Sequence, residues 1–278
     1  MNEKKSTELS PVARTLLAPL GCRARESQRS DAILRDRRAV EVFQKLGAEL
    51  KNLSPMSKID QTFTMMRARQ FDTYARCFLD KNPDGLVVDI GSGLDTRFDR
   101  LDNGRMHWLG VDLPEVIALR QRFLPDGKRS HTLGSSMLDL TWLDQVKRLK
   151  KPVIFLAEGV FCYFTESEVK KVIQAIARDY PGVELAFDIL TNRSIKLHSR
   201  TSRVLKETHA SLNWGVDNPY SLESWGLKLV DVWGYFNDRE PRLGLANLMR
   251  FVPAWRDANR VVLYRVAGRD VAKKLGFL

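Results

Sequence analysis

Between residue 85 and about residue 190, short apolar runs alternate with segments of helical periodicity, and no other feature restricts the fold as much. An apolar run, an amphipathic helix and a second apolar run make a βαβ unit, so the pattern predicts an α/β fold with a parallel sheet. The strand candidates are Leu86–Ile90, 107–111, Val153–Ala157 and 183–189. Helices are expected between them at 113–123, where Pro114 takes a first-turn position, and at 166–178.

The flanks differ in character. Residues 1 to about 80 read as helical. The stretch 31–46 has apolar residues at helical spacing behind Asp31, a candidate cap, and 64–80 continues the period through Met65, Ala68, Phe71, Ala75 and Phe78. Gly47 and Ser54-Pro55 punctuate the two. Beyond the alternating region, 194–212 reads as a basic amphipathic helix. A short helix at 221–226 leads into a strand at 228–233, and a last strand is expected at 261–266. One domain with a helical N-terminal extension is the economical organisation.

Composition excludes several classes. No apolar run reaches a membrane span, and the start of the chain has no signal-peptide pattern, so neither a membrane partner nor secretion is expected. Cys22, Cys77 and Cys162 are too widely spaced for a zinc site or a disulfide framework, which fits a reducing cytoplasm. The net charge of +11 is spread along the chain rather than gathered in a basic block. Such a charge is compatible with a nucleic acid, an anionic membrane or an anionic small substrate, and without a basic block a nucleic acid is not the expectation.

The first strand runs into Asp89-Ile-Gly91-Ser-Gly93-Leu-Asp95-Thr96. Glycines at a strand-to-helix turn let backbone bend tightly and approach a ligand. Alone the pattern is weak, and Asp95 and Thr96 can simply cap the next helix. Asp112 stands roughly 20 residues on, at the end of the next strand, where an acid can accept hydrogen bonds from both hydroxyls of a ribose. A helix N-cap is its other reading. The third glycine of the dinucleotide fingerprint is missing, which favours a nucleoside without a pyrophosphate, such as S-adenosylmethionine, over NAD. Asp139, placed to meet an adenine amino group, and Glu158, at the end of an apolar strand, complete a series of acids in the order that a nucleoside site needs.

These residues carry a resemblance. The run from Val87 to Leu101, Val111-Asp-Leu-Pro-Glu-Val-Ile117 and Ala157-Glu-Gly-Val160 with Tyr163 resemble the leucine carboxyl methyltransferase superfamily. Within it the chain is most similar to the bacterial branch named for polyketide (tetracenomycin-type) O-methyltransferases. Matching segments extend to Cys22–Ser27, Arg67–Asp72, Trp225–Val230, Arg242–Ala246 and Val252–Trp255. The resemblance implies a class I methyltransferase fold: a Rossmann-like seven-stranded sheet with helices on both faces, and a late antiparallel strand at 261–266. It also implies an N-terminal helical cover over residues 1–80, a methyltransferase domain over 81–278, and a substrate lid near 191–222. It assigns the cofactor's carboxylate to Arg67, whose guanidinium suits that group. Gly91 and Gly93 become the cofactor turn, Asp112 the ribose contact, Asp139 with the Leu140 backbone the adenine contact, and Glu158 a contact at the amino-acid end. Arg23 is a further candidate for the carboxylate.

In this family the acceptor is often a carboxylate, already nucleophilic at neutral pH, so no catalytic base is named. His107, His131, His198 and His209 lack metal-ligand spacing; no metal is expected. His198 and His209 fall in the lid, where a base acting on a phenol remains open. Tyr163, Phe164, Trp214 and Tyr220 are candidates for the acceptor pocket, with core packing as their other reading. The expected function is O-methylation, by direct displacement, of a carboxylate or phenolic hydroxyl on a small polyketide-like or other secondary metabolite. The alternatives are a protein C-terminal carboxyl methyltransferase, an RNA-modifying enzyme and a cofactor binder without catalysis. Oligomeric state is left open.

Overall fold

The computed structural model describes residues 10–47 and 56–267. Four helices come first: α1 Pro11–Arg14, α2 Leu17–Glu26, α3 Arg37–Leu46 and α4 Lys58–Lys81. Strands and helices then alternate as β1 Leu86–Ile90, α5 Arg97–Leu101, β2 His107–Asp112, α6 Pro114–Phe123, β3 Ser130–Gly134, α7 Trp142–Arg148, β4 Val153–Ala157, α8 Glu166–Asp179 and β5 Glu184–Leu190. The chain continues through α9 Asn192–Thr201, α10 Arg203–Thr208, β6 Leu227–Gly234, α11 Pro253–Arg256 and β7 Asn259–Val266.

One seven-stranded sheet has the order β3-β2-β1-β4-β5-β7-β6. The pairs from β3 to β5 are parallel, while β7 runs antiparallel to both β5 and β6. Successive side chains of a strand point to opposite faces, and both faces here are covered. Leu86, Val88 and Ile90 join Phe155, Ala157 and the apolar side of α8 on one face. Val87, Ile154, Leu156 and Ala186 pack with Met66, Phe71, Tyr74 and Phe78 of α4 on the other. The chain leaves β1 toward β2 and returns on the opposite side at β4, so the carboxyl ends of these two strands flank a crevice. Leu17 and Leu20 of α2 and Ala39 and Val42 of α3 pack with Leu94 and Leu119, which seats the N-terminal helices beside the glycine turn.

The expected strands β1, β2, β4, β5, β6 and β7 are present within two residues at each end. The strand β3, Ser-His-Thr-Leu-Gly, was not anticipated. It is a polar edge strand with no buried face to impose an alternation. The helix expected from residue 31 starts at Arg37 instead. Asp31 is taken by Arg29 at 2.8 and 2.9 Å, and Asp36 is the cap, accepting from Ala39 N at 2.8 Å. The single helix expected over 194–212 is two, because Ser202 leaves helical geometry and caps α10. Among the described residues, no helix is long and apolar enough to cross a membrane, and no cluster of His, Cys, Asp or Glu is arranged for a metal ion.

Candidate functional site

A cavity of about 950 Å³ opens over the carboxyl ends of β1, β2, β4 and β5. The glycine turn forms its floor. Gly91 and Gly93 have φ of 69° and 46°, a region that other L residues rarely adopt. A Cβ on Gly91 would lie 2.3 Å from Val160 Cγ2, and one on Gly93 would lie 3.3 Å from Leu16 Cβ of the N-terminal segment. The turn is therefore enclosed from two sides by chain that only glycine admits.

Asp112 lines the cavity with both oxygens held by backbone: Oδ2 accepts from Gly93 N and Oδ1 from Leu113 N, each at 2.7 Å. Burial lifts its carboxyl above the ordinary range despite these two bonds. Each oxygen keeps a lone pair for a ligand hydroxyl. Asp89 also lines the cavity, and its Oδ2 is buried without a partner. Burial, with the charge of Asp95 beside it, raises the Asp89 carboxyl well above its usual value. An orphaned buried acceptor of this kind calls for a donor.

Arg67, on the cavity face of α4 with Ile59, Asp60, Phe63 and Thr64, donates from Nε to Glu158 at 3.0 Å and from Nη1 to Asp188 at 3.1 Å. Its guanidinium lies over Gly159, where a Cβ would meet Nη2 at 3.2 Å, and Gly159 has φ of 67°. Burial opposes its charge, but Asp188 and Glu158 outweigh that and hold it firmly protonated. Behind it lies a connected series of buried ions. Glu158 pairs with Arg97 at 2.5 Å, Arg97 with Asp72 at 2.6 Å and Asp95 at 2.5 Å, and Arg100 with Asp72 at 2.9 Å and Asp36 at 2.5 Å. Arg23 closes the series on Asp36 at 3.3 Å and also donates to Leu94 O at 2.9 Å. Buried charge persists only where it is paired, and here the pairing ties α2, α4, α5 and β5 to the cap of α3 and the residue that follows β4.

The expected site residues separate into two groups. Arg23, Arg67, Gly91, Gly93, Asp112, Glu158, Tyr163 and Phe164 all line the cavity. Asp139 and Leu140 stand outside the lining: Asp139 is exposed, and its Oδ1 accepts from the N–H and hydroxyl of Thr141 at 3.2 and 2.8 Å. The lining residues of that loop are Ser135, Ser136 and Met137. Trp214 is in the core instead, stacked on Trp225 with centroids 5.8 Å apart, and Tyr220 is 64% exposed away from the cavity. Of the four histidines, His198 alone lines it, on a face of α9 with Ser194, Leu197 and Thr201. Burial lowers the His198 imidazole, against the opposing charge of Asp60.

Asp188, Asp89 and Arg97 were not singled out from the sequence. Asp188 had a signal, an acid inside the apolar strand Leu-Ala-Phe-Asp-Ile-Leu. Arg97 had less, because its partners are dispersed along the chain. Thr96 does not cap α5 with its side chain: its hydroxyl donates to Asp36 at 2.5 Å, while Asp95 accepts from Arg97 N at 2.9 Å.

A Thermobifida fusca protein solved as a candidate methyltransferase superposes with a TM-score of 0.60 at 15% identity, over 95% of this chain and 97% of that one. The sheet order, with its late antiparallel strand, defines a class I S-adenosylmethionine-dependent methyltransferase fold. The family model for leucine carboxyl methyltransferase matches residues 17–177. The tetracenomycin polyketide synthesis O-methyltransferase TcmP of Streptomyces glaucescens is 30% identical over 269 residues, covering 94% of this chain and 98% of that protein. The S-adenosyl-L-methionine-dependent methyltransferase dpfgK of Gibberella zeae is 26% identical over 242 residues, 80% of this chain and 81% of that protein. The chain belongs to the leucine carboxyl methyltransferase family and is an S-adenosylmethionine-dependent methyltransferase. The site fits that cofactor, with a glycine turn in the cavity lining, a carboxylate with spare lone pairs, and an orphaned acid that a cationic amine would satisfy.

Proposed function

We propose that the protein O-methylates a small polyketide-like aromatic acceptor, on a carboxylate or a phenolic hydroxyl. One observation carries this reading: the cavity lining includes five large aromatic side chains, Phe63, Phe164, Tyr235, Phe236 and Trp255, with Phe63 stacked on Tyr235 and edge-on to Phe236. A flat apolar ring system matches such walls. The name of the relative TcmP points to the same acceptor class.

In this reading Gly91 and Gly93 admit the nucleoside, Asp112 accepts its ribose hydroxyls, and Asp89 Oδ2 accepts from the amino-acid ammonium. Arg67 meets the carboxylate, fixed from behind by Glu158 and Asp188. When bound, the cofactor supplies a sulfonium methyl group for direct displacement. A carboxylate acceptor needs only placement in line and exclusion of water. The helices up to residue 80 and the 191–222 segment serve as the two covers that exclude it.

A phenolic acceptor is the second reading, favoured by His198. Burial keeps this imidazole neutral, so it is competent to take the hydroxyl proton.

Incubating the protein with labelled S-adenosylmethionine and a panel of polycyclic aromatic acids and phenols tests both readings. A methyl group released by mild alkali marks an ester, and a stable one marks an aryl ether. Absence of transfer to the whole panel, with cofactor binding intact, overturns the proposal.

A further inference from the structure

The segment Pro241–Phe251 winds as a 3-10 helix, broken at Gly244, whose φ is 52°. Such a helix has three residues per turn, so positions three apart lie on one edge. Leu245, Leu248 and Phe251 occupy those positions and are 86%, 59% and 77% exposed. Val252 and Trp255 extend the exposed apolar surface, and Met249 and Trp255 are at once exposed and part of the cavity wall. The ridge therefore borders the cavity mouth.

Beside it stands α9, joined to this surface where the Arg193 guanidinium lies 5.7 Å from the centre of the Trp255 ring, and α10 continues from α9 along the cavity lining with Arg203, Val204 and Leu205. Arg193, Lys196, Arg200, Arg203 and Lys206 are all exposed there, against a single acid, Glu207, between residues 192 and 208. A ridge of large apolar side chains flanked by cations matches a surface that is negative outside and apolar beneath. A ring-and-cation pair such as Trp255 with Arg193 suits the boundary between those two layers.

We propose that this face docks on an anionic lipid bilayer, with Leu245, Leu248 and Phe251 entering the apolar layer and α9–α10 lying against the headgroups. An acidic protein would satisfy the cations but needs a groove shaped to the ridge, whereas lipid conforms to it. If the acceptor is the polyketide-like aromatic proposed for this site, docking lets its apolar ring system pass from lipid into the cavity without crossing water. The docking itself does not rest on that reading.

Co-sedimentation with vesicles, without any turnover measurement, tests it. The expected result at about 0.15 M salt is partition onto vesicles of phosphatidylcholine with phosphatidylglycerol and not onto phosphatidylcholine alone. Leu245→Asp with Phe251→Asp is expected to weaken that partition at least about tenfold, and so is Arg200→Glu with Lys206→Glu. Both variants should keep the wild-type melting temperature and affinity for S-adenosylhomocysteine. Failure to bind the anionic vesicles overturns the proposal. Equal binding by the Leu245→Asp and Phe251→Asp variant also overturns it, because non-specific basic charge then accounts for the attraction.

Discussion

Asp188 holds Arg67 and Gly159 at once: one oxygen accepts from Arg67 Nη1 at 3.1 Å and the other from Gly159 N at 2.6 Å. The carboxyl end of β5 thereby fixes both the cation of the site and the backbone bend that the cation lies over. Burial raises the Asp188 carboxyl, and Arg67 opposes the rise, so the two groups depend on each other for their charge.

Arg67→Lys tests what the guanidinium contributes beyond charge. A lysine keeps the cation but has no planar fork to satisfy Glu158, Asp188 and a ligand carboxylate together. The dissociation constant for S-adenosylhomocysteine is expected to rise at least about tenfold, or ~1.4 kcal/mol, with a nearly unchanged melting temperature. Arg67→Ala should also lower the melting temperature, since it strips a shared cation from two buried acids. Unaltered affinity in both variants, measured by calorimetry, would remove Arg67 from the site.

How much of this was legible in advance follows from how local each signal is. The glycine turn, Asp112 and Glu158 were readable because strand, turn and acid lie close together along the chain. Asp188 is separated from Arg67 by 121 residues, and only the adjacency of β4 and β5 to α4 brings the two together. Trp214 and Tyr220 show the opposite limit: an aromatic residue type suits core, rim and pocket equally, so type alone could not place them. His198 became distinct from His209 only once the break at Ser202 set which face of α9 meets the cavity.

Cofactor binding should release a proton from Asp89. Its folded-state carboxyl is raised by burial, so it keeps its proton beyond the ordinary carboxylate range. A cationic amine at the orphaned Oδ2 favours the carboxylate, and the proton leaves. Affinity should therefore rise as pH climbs toward the raised value. Calorimetry in two buffers of different ionisation enthalpy, repeated across a pH series, is expected to show net proton release on binding to the wild type within that series, and almost none in Asp89→Asn. The stability effect has the opposite slope: a raised acid favours the folded state at low pH, and that contribution is lost as pH rises through the folded value. Without cofactor, the advantage of Asp89→Asn over wild type should thus grow with pH. Equal proton release by both proteins would assign the proton to another group.

Gly91 and Val160 offer a double-mutant cycle in which steric and conformational costs separate. Gly91→Ala places a methyl 2.3 Å from Val160 Cγ2, an overlap that neither side can absorb without moving. It also asks a residue with a Cβ to hold φ at 69°, which costs about 1–2 kcal/mol by itself. Val160→Ala removes the obstructing methyls at a cost of about 1 kcal/mol for lost apolar contact. The double variant is expected to be more stable than the sum of the single changes by about 1 kcal/mol or more, yet less stable than Val160→Ala alone. Chemical denaturation of the four proteins measures this directly. Strict additivity would mean that the turn yields elsewhere and that Val160 does not confine it. A full return to the stability of Val160→Ala would mean that overlap, and not backbone conformation, is what reserves this position for glycine.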